Sequence, residues 1–191
     1  MQIKATLSPI GSKKLDETIV NLVDTHFDGG IQKFGIKFAW GVAGIFGQDG
    51  KNTLLAWARG FFEDFVKNTL KENNIYATVE KLDISIDHED LNISLVADNI
   101  DYTKSITKNT KRIIDGLKKI SPDNVAWGII DILGKEKNDT ISALLNSIND
   151  KKKESIIKLL IKEYHSNLCE FLTKLLVENK NNLSVKNISI T

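Results

Sequence analysis

The chain has 191 residues, 41% of them hydrophobic and 27% charged, with a formal net charge of +1. That balance excludes a disordered polyelectrolyte, and a near-neutral chain directs no global field at nucleic acid or acidic membrane. The one cysteine, Cys169, excludes an intrachain disulfide framework. Only Arg59 and Arg112 are arginines, which weighs against forked recognition of phosphates or bases and so against sequence-specific nucleic-acid binding.

The N-terminal stretch Met1–Leu7 lacks a basic region followed by a long apolar run, so no secretory signal is expected. No apolar run approaches the roughly 18 residues of a membrane span. The expected compartment is a reducing cytoplasm.

Gln2 to Ser8 alternates, with Ile3, Ala5 and Leu7 on one side, as in a half-buried strand. Pro9 and Gly11 end it. Ser12 then caps a predicted helix to about Phe27, striped by Leu15, Ile19, Leu22, Val23 and Phe27 and stopped at Gly29-Gly30. A helix around Trp40 is expected from about Phe34 to Gly47. A third starts near Asn52, carries Leu54, Leu55, Ala58, Phe61, Phe62, Phe65, Val66 and Leu70, and ends at Asn73-Asn74. Ile75 to Asp87 and Leu91 to Ala97 alternate around the polar turn Asp87-His88-Glu89-Asp90, which predicts an antiparallel hairpin.

The second half repeats the plan. Ile106, Ile113, Ile114 and Leu117 stripe a helix, Ser121-Pro122-Asp123 opens the next, and Ile141, Leu144, Leu145 and Ile148 mark a short one. A long helix is predicted over 152–179, with Ile157, Leu160, Ile161, Tyr164, Leu168, Phe171, Leu172 and Leu175 on its face. Leu183 to Thr191 is a terminal strand with a bulge where the alternation slips.

The two halves share residues in register. Ala39, Trp40, Gly41, Ile45, Gly47, Thr53 and Ala56 meet identical residues 87 positions later, at Ala126, Trp127, Gly128, Ile132, Gly134, Thr140 and Ala143. Ile84-Ser85-Ile86 returns as Ile188-Ser189-Ile190. Fixed-period self-similarity marks repeated units. The expected fold is α+β: a tandem duplication of a strand–three-helix–strand unit, sharing one four-stranded, largely antiparallel sheet packed with helices. Residues 1–87 and 90–191 form the two repeats of a single domain over 1–191, because a two-stranded sheet is weak alone and no linker parts the copies.

Several features invite chemistry, and each has a plainer reading. In the repeated Ala-Trp-Gly motif, Trp40 and Trp127 fill core, while Gly41 and Gly128 let another helix approach, so a leucine at either glycine is expected to overpack. Gly41, Gly44 and Gly47 recur in the uncharged stretch Phe38 to Gln48, a mixture also found in membrane-surface helices. The basic polar face of such helices is missing, with only Lys33 and Lys37 nearby. Neither a GxGxxG nor a GxxxxGK[ST] loop is present.

On a helix His26 points away from Asp24 and Asp28, and the dipole accounts for a histidine at a helix end. Asp87 to Asp90 cannot all converge on one ion, so the segment reads as a turn and no metal is expected. His165 and Cys169 share one helical face, where an inert buried thiol is the default.

No cofactor is expected. The composition and motifs point away from an enzyme and toward a binding or interaction module of adaptor, inhibitor or scaffold type. Its partner would be another protein or a second copy of the chain. Candidate contact residues are Trp57, Phe61, Phe62 and Phe65 as an apolar anchor and Lys151, Lys152 and Lys153 as a charged rim. At least one of the four aromatics is expected to be substantially exposed. The alternatives are an enzyme with a dispersed site at His26, Asp28 and His165, or a protein that binds membrane or hydrophobic ligand through residues 34–47.

Overall fold

The computed structural model describes residues 1–11, 14–26, 29–120 and 147–191. In chain order these form β1 (Gln2–Pro9), α1 (Leu15–His26), α2 (Gly30–Ile45), α3 (Gly47–Trp57), α4 (Arg59–Glu72), β2 (Thr78–Asp87), β3 (Asp90–Asp98), α5 (Tyr102–Ile120), α6 (Asp150–Glu163), α7 (His165–Glu178) and β4 (Leu183–Ile190). Trp127, Gly128, Gly134 and the predicted start at Ser121-Pro122-Asp123 lie outside the described residues, as do the predicted apolar positions Ile141, Leu144 and Leu145.

The fold is α+β, with one antiparallel four-stranded sheet in the order β2-β3-β1-β4. β1 and β3 form the centre, so each half of the chain supplies one central strand and one edge. The register is orderly. Ala5 faces Ile93 across the central pair; Ile84 lies opposite Ile93 on one side, and Ile188 opposite Ala5 on the other. Farther out, Ile86 faces Leu91 and Ile190 faces Ile3. Each edge strand has one register shift, at Glu80 in β2 and Lys186 in β4. The shift in β4 is the bulge expected from the broken alternation.

Alternation gives the sheet one apolar face and one polar face. On the apolar face Ile86, Leu91 and Leu183 join Leu15, Trp40 and Leu55 from the helices in one buried cluster. On the polar face side chains bond across strands: Gln2 donates to Ser94 at 2.9 Å, Thr6 to Asn92 at 2.9 Å, and Ser8 to Asp90.

Four boundaries differ from expectation. First, α1 starts at Leu15, whose N–H donates to Glu89 Oε2 at 3.0 Å, so the hairpin turn satisfies a helix-start donor; Ser12 lies outside the described residues. Second, α2 starts at Gly30 rather than near Phe34. It ends as expected just before Gly47, whose φ of +67° suits glycine. Third, the predicted helix after Asn52 is two helices that meet at Ala58. Fourth, the predicted 152–179 helix also breaks, at Tyr164, with φ −108° and ψ 26°. Asn149 caps the first of that pair, its side chain accepting from Lys152 N–H.

Both sheet edges are covered by side chains from helices. On β2, Ile86 N–H donates to Asn52 Oδ1 at 2.6 Å, and Ile86 O accepts from Asn52 Nδ2 at 3.1 Å. Asn52, expected as a helix cap, sits inside α3 and satisfies the edge strand instead. On β4, Val185 N–H donates to Thr173 Oγ1 at 2.9 Å, and Ile188 N–H to His165 Nε2 at 3.4 Å. Edges left open would template pairing with other chains.

Candidate functional site: an uncovered apolar surface on α2 and α3

Helix α2 has two apolar faces. The inner one carries Trp40 and Ala43, both buried. The Trp40 indole N–H donates to Asp16 Oδ1 at 3.0 Å, and Lys51 pairs with the same carboxylate at 2.6 Å while lying 5.7 Å over the Trp40 ring. The need of a buried indole for a partner is thus met within the fold.

The outer face carries Ile31, Phe34, Phe38, Val42 and Ile45, spaced by three and four residues and all exposed. Phe38 is 63% exposed and Ile31 91%. Phe34 and Phe38 stack with ring centres 6.1 Å apart. This face is on the opposite side of the helix from Trp40, so folding of the described residues leaves it in water.

A groove runs between α2 and α3, lined by Phe38, Val42, Phe46, Leu54 and Trp57 among others, with a volume of about 710 Å³. Trp57, one of the expected anchors, is 86% exposed there. Gly50 sets the groove floor. A Cβ at that position would lie 2.3 Å from the Ala43 carbonyl oxygen, so only glycine lets α3 come this close to α2. Gly41, the glycine expected at a close contact, has open space around it: a Cβ there meets nothing within 4 Å. It lies beside the outer stripe, and the neighbouring helix packs on the other side. Gly128 lies outside the described residues.

The other anchors divide. Phe61 and Phe65 are exposed on α4, whereas Phe62 is turned inward and packs on the core. Adjacent helical residues point about 100° apart, which accounts for the split. The lysine rim also divides. Lys151 and Lys152 are exposed, but Lys153 is 3% exposed and donates to Thr103 Oγ1 at 2.7 Å while pairing with Asp150 at 3.2 Å. It holds α6 against α5 and cannot serve a charged rim.

Of the dispersed catalytic set, only His165 has a described side chain. The side chain of His26 and all of Asp28 lie outside the described residues. His165 Nε2 lies 2.9 Å from Asn187 Oδ1 and 3.8 Å from Cys169 Sγ, which places it at the β4 edge rather than in a cleft. Burial pushes the Cys169 thiol up, away from the reactive thiolate. Among the described residues no cluster of His, Cys, Asp and Glu could hold a metal ion, and no helix is long and apolar enough to cross a membrane. A second hollow, beside Phe171 and Lys174 on α7, has a volume of about 430 Å³ and mixed charged walls from Lys119, Glu170 and Glu178.

Sequence reasoning found Trp57, placed Phe34 and Phe46 only in the alternative membrane or hydrophobic-ligand surface over 34–47, and missed Ile31. The signal was present: α2 carries more apolar residues than one buried face can use. Compared with models of protein families, with curated proteins and with solved structures, the chain matches none.

Proposed function

We propose that this protein is a non-enzymatic interaction module, built as a fused pseudo-dimer, that binds another polypeptide on the apolar surface of α2 and α3. The observation that carries the reading is the extent of that surface. Seven exposed residues, Ile31, Phe34, Phe38, Val42, Ile45, Phe46 and Trp57, form the outer stripe and its groove. With aromatics contributing roughly 150–250 Å² each when fully exposed, the patch is on the order of 1,000 Å². The largest patch on a typical monomer is about 300–600 Å². The nearby cations are engaged within the fold, Lys33 and Lys37 by Asp24 and Lys51 by Asp16, which disfavours an anionic membrane as the partner.

Four correspondences support the pseudo-dimer. Ile84-Ser85-Ile86 and Ile188-Ser189-Ile190 hold matching positions on opposite edges of the sheet. Gly11 and Asn99, just beyond β1 and β3, both take positive φ, +71° and +48°. The helices before the edge strands, α4 and α7, have 14 residues each and end in the same way. In one, Asn73 Nδ2 donates to Thr69 O and Asn74 takes φ +54°; in the other, Asn179 Nδ2 donates to Leu175 O and Lys180 takes φ +62°.

A photo-crosslinking residue placed at position 57 in the full chain tests the binding reading in cells. A polypeptide adduct at 57, with none from a control at Lys81 in β2, is expected. Adducts to lipid alone, or no adduct, would overturn it.

A further inference from the structure

We infer that the partner is a second copy of this chain, joined through an antiparallel pair of α2 helices with the twofold axis at Phe38. This rests on the interaction-module reading and names the occupant of its surface. A twofold interface is self-complementary: where residue i meets j, residue j meets i. The outer face of α2 has that property about Phe38. Phe34 and Val42 lie four residues to either side, Ile31 and Ile45 seven, and Gly35 and Gly41 three. In an antiparallel pair Ile31 meets Ile45 of the other copy, Phe34 meets Val42, Gly35 meets Gly41, and Phe38 meets itself.

The two glycines strengthen the case. Glycine inside a helix weakens it. Neither Gly35 nor Gly41 has anything within 4 Å of where a Cβ would be, so no contact inside the described fold requires either. In the antiparallel pair they fall opposite each other and let the two backbones close together.

Charge agrees. A charge on the twofold axis would face its own copy, so the centre of a self-pairing seam favours uncharged residues. Residues 38–48 carry no charge, and Lys33 and Lys37 point to Asp24. The area agrees as well, since a stable interface needs about 800 Å² per partner and the exposed patch reaches that size.

Sedimentation equilibrium on the purified full chain, across the micromolar range, provides the test. A reversible dimer is expected. Phe38→Glu and Phe38→Lys should each weaken it by about 30-fold or more, and an equimolar mixture of the two should restore it. The circular dichroism of each variant should be unchanged, because Phe38 points into solvent. Register is read by oxidation of single added cysteines. Phe38→Cys should crosslink to itself, and Ile31→Cys should crosslink to Ile45→Cys but not to itself. The native Cys169, buried, should stay uncrosslinked. A chain that is monomeric throughout the range, a dimer indifferent to both Phe38 variants, or self-crosslinking of Ile31→Cys would overturn the inference. A monomer that still yields an adduct to a different polypeptide from position 57 would leave the interaction module standing and remove only the second copy. Absence of any polypeptide adduct would remove both.

Discussion

Asn109 donates its side-chain amide to the carbonyl of Asn74 at 3.0 Å, tying the first helix of the second half to the last helix of the first. The reciprocal contact joins the other two ends: Asn21, 88 residues before Asn109, donates to the carbonyl of Lys180 at 3.4 Å. Both acceptors are positive-φ residues that terminate a helix. Each half therefore holds the C-terminal cap of the other, and neither unit has its complete set of contacts alone.

The two asparagines should differ in cost when removed. Asn109 is buried, so Asn109→Ala leaves the Asn74 carbonyl short of a partner inside the protein, while Ser105 O, which also accepts from the side chain at 2.9 Å, stays within the helical ladder of α5. A loss of about 1–3 kcal/mol is expected. The Asn21 contact is longer and exposed, so water replaces it and Asn21→Ala should cost under about 0.5 kcal/mol. Urea midpoints give both values, and equal losses would show that the two contacts are not graded by burial.

These contacts show which parts of the fold were legible in the sequence. Strands with strict alternation, such as Ile3-Ala5-Leu7 and Leu91-Ile93-Leu95, read directly, and so did the bulge at Lys186. The breaks at Ala58 and Tyr164 did not, because both residues are compatible with a helix and only packing of the following helix on the sheet turns the chain. Lys153 looked like part of a solvated cluster, since composition cannot tell an inward lysine from its exposed neighbours. Asn52 looked like a cap, and its bond to an edge strand 34 residues away leaves no local signal. The outer stripe of α2 could be read from spacing, but choosing which apolar face stays in water required the position of Trp40.

Asp90 should make the sheet sensitive to acid. The Ser8 hydroxyl, and then the Lys186 ammonium at 3.0 Å, hold its carboxyl below the usual carboxylate range. A lowered folded pKa means stability that is present above the unfolded value, about 3.9, and is lost as pH falls through the folded one. The dependence of the urea midpoint on pH between about 5 and 2 should therefore be shallower in Asp90→Asn than in the wild type. Parallel profiles would show that the Ser8–Asp90–Lys186 link contributes nothing to stability.

The edge bonds from Asn52 should matter for association as well as stability. Asn52→Ala frees the Ile86 N–H on the outermost strand and leaves the Ile86 carbonyl with Gln48 Nε2 alone, at 2.9 Å. Two lost hydrogen bonds at about 0.5–1.5 kcal/mol each set the scale of destabilisation. The exposed strand edge should also raise light scattering at high protein concentration. A variant as stable and as clear in solution as the wild type would show that the amide is ornamental to the edge.

Glycines 41 and 50 separate packing within the chain from packing between chains. At Gly50 an added methyl would run into the Ala43 carbonyl, which belongs to a helix backbone and cannot swing aside. Gly50→Ala should destabilise by at least about 1–3 kcal/mol and widen the α2–α3 groove. At Gly41 the methyl has open space, so Gly41→Ala should stabilise the isolated chain by up to about 1 kcal/mol through helix propensity alone. The same methyl falls on the seam of the inferred dimer, opposite Gly35 of the second copy, where the backbones need to close. Gly41→Ala should thus raise the urea midpoint of the monomer, measured at low protein concentration, while weakening dimerisation. Opposite signs in the two measurements are the expected result. A variant whose stability and dimerisation both improve would place Gly41 away from the seam.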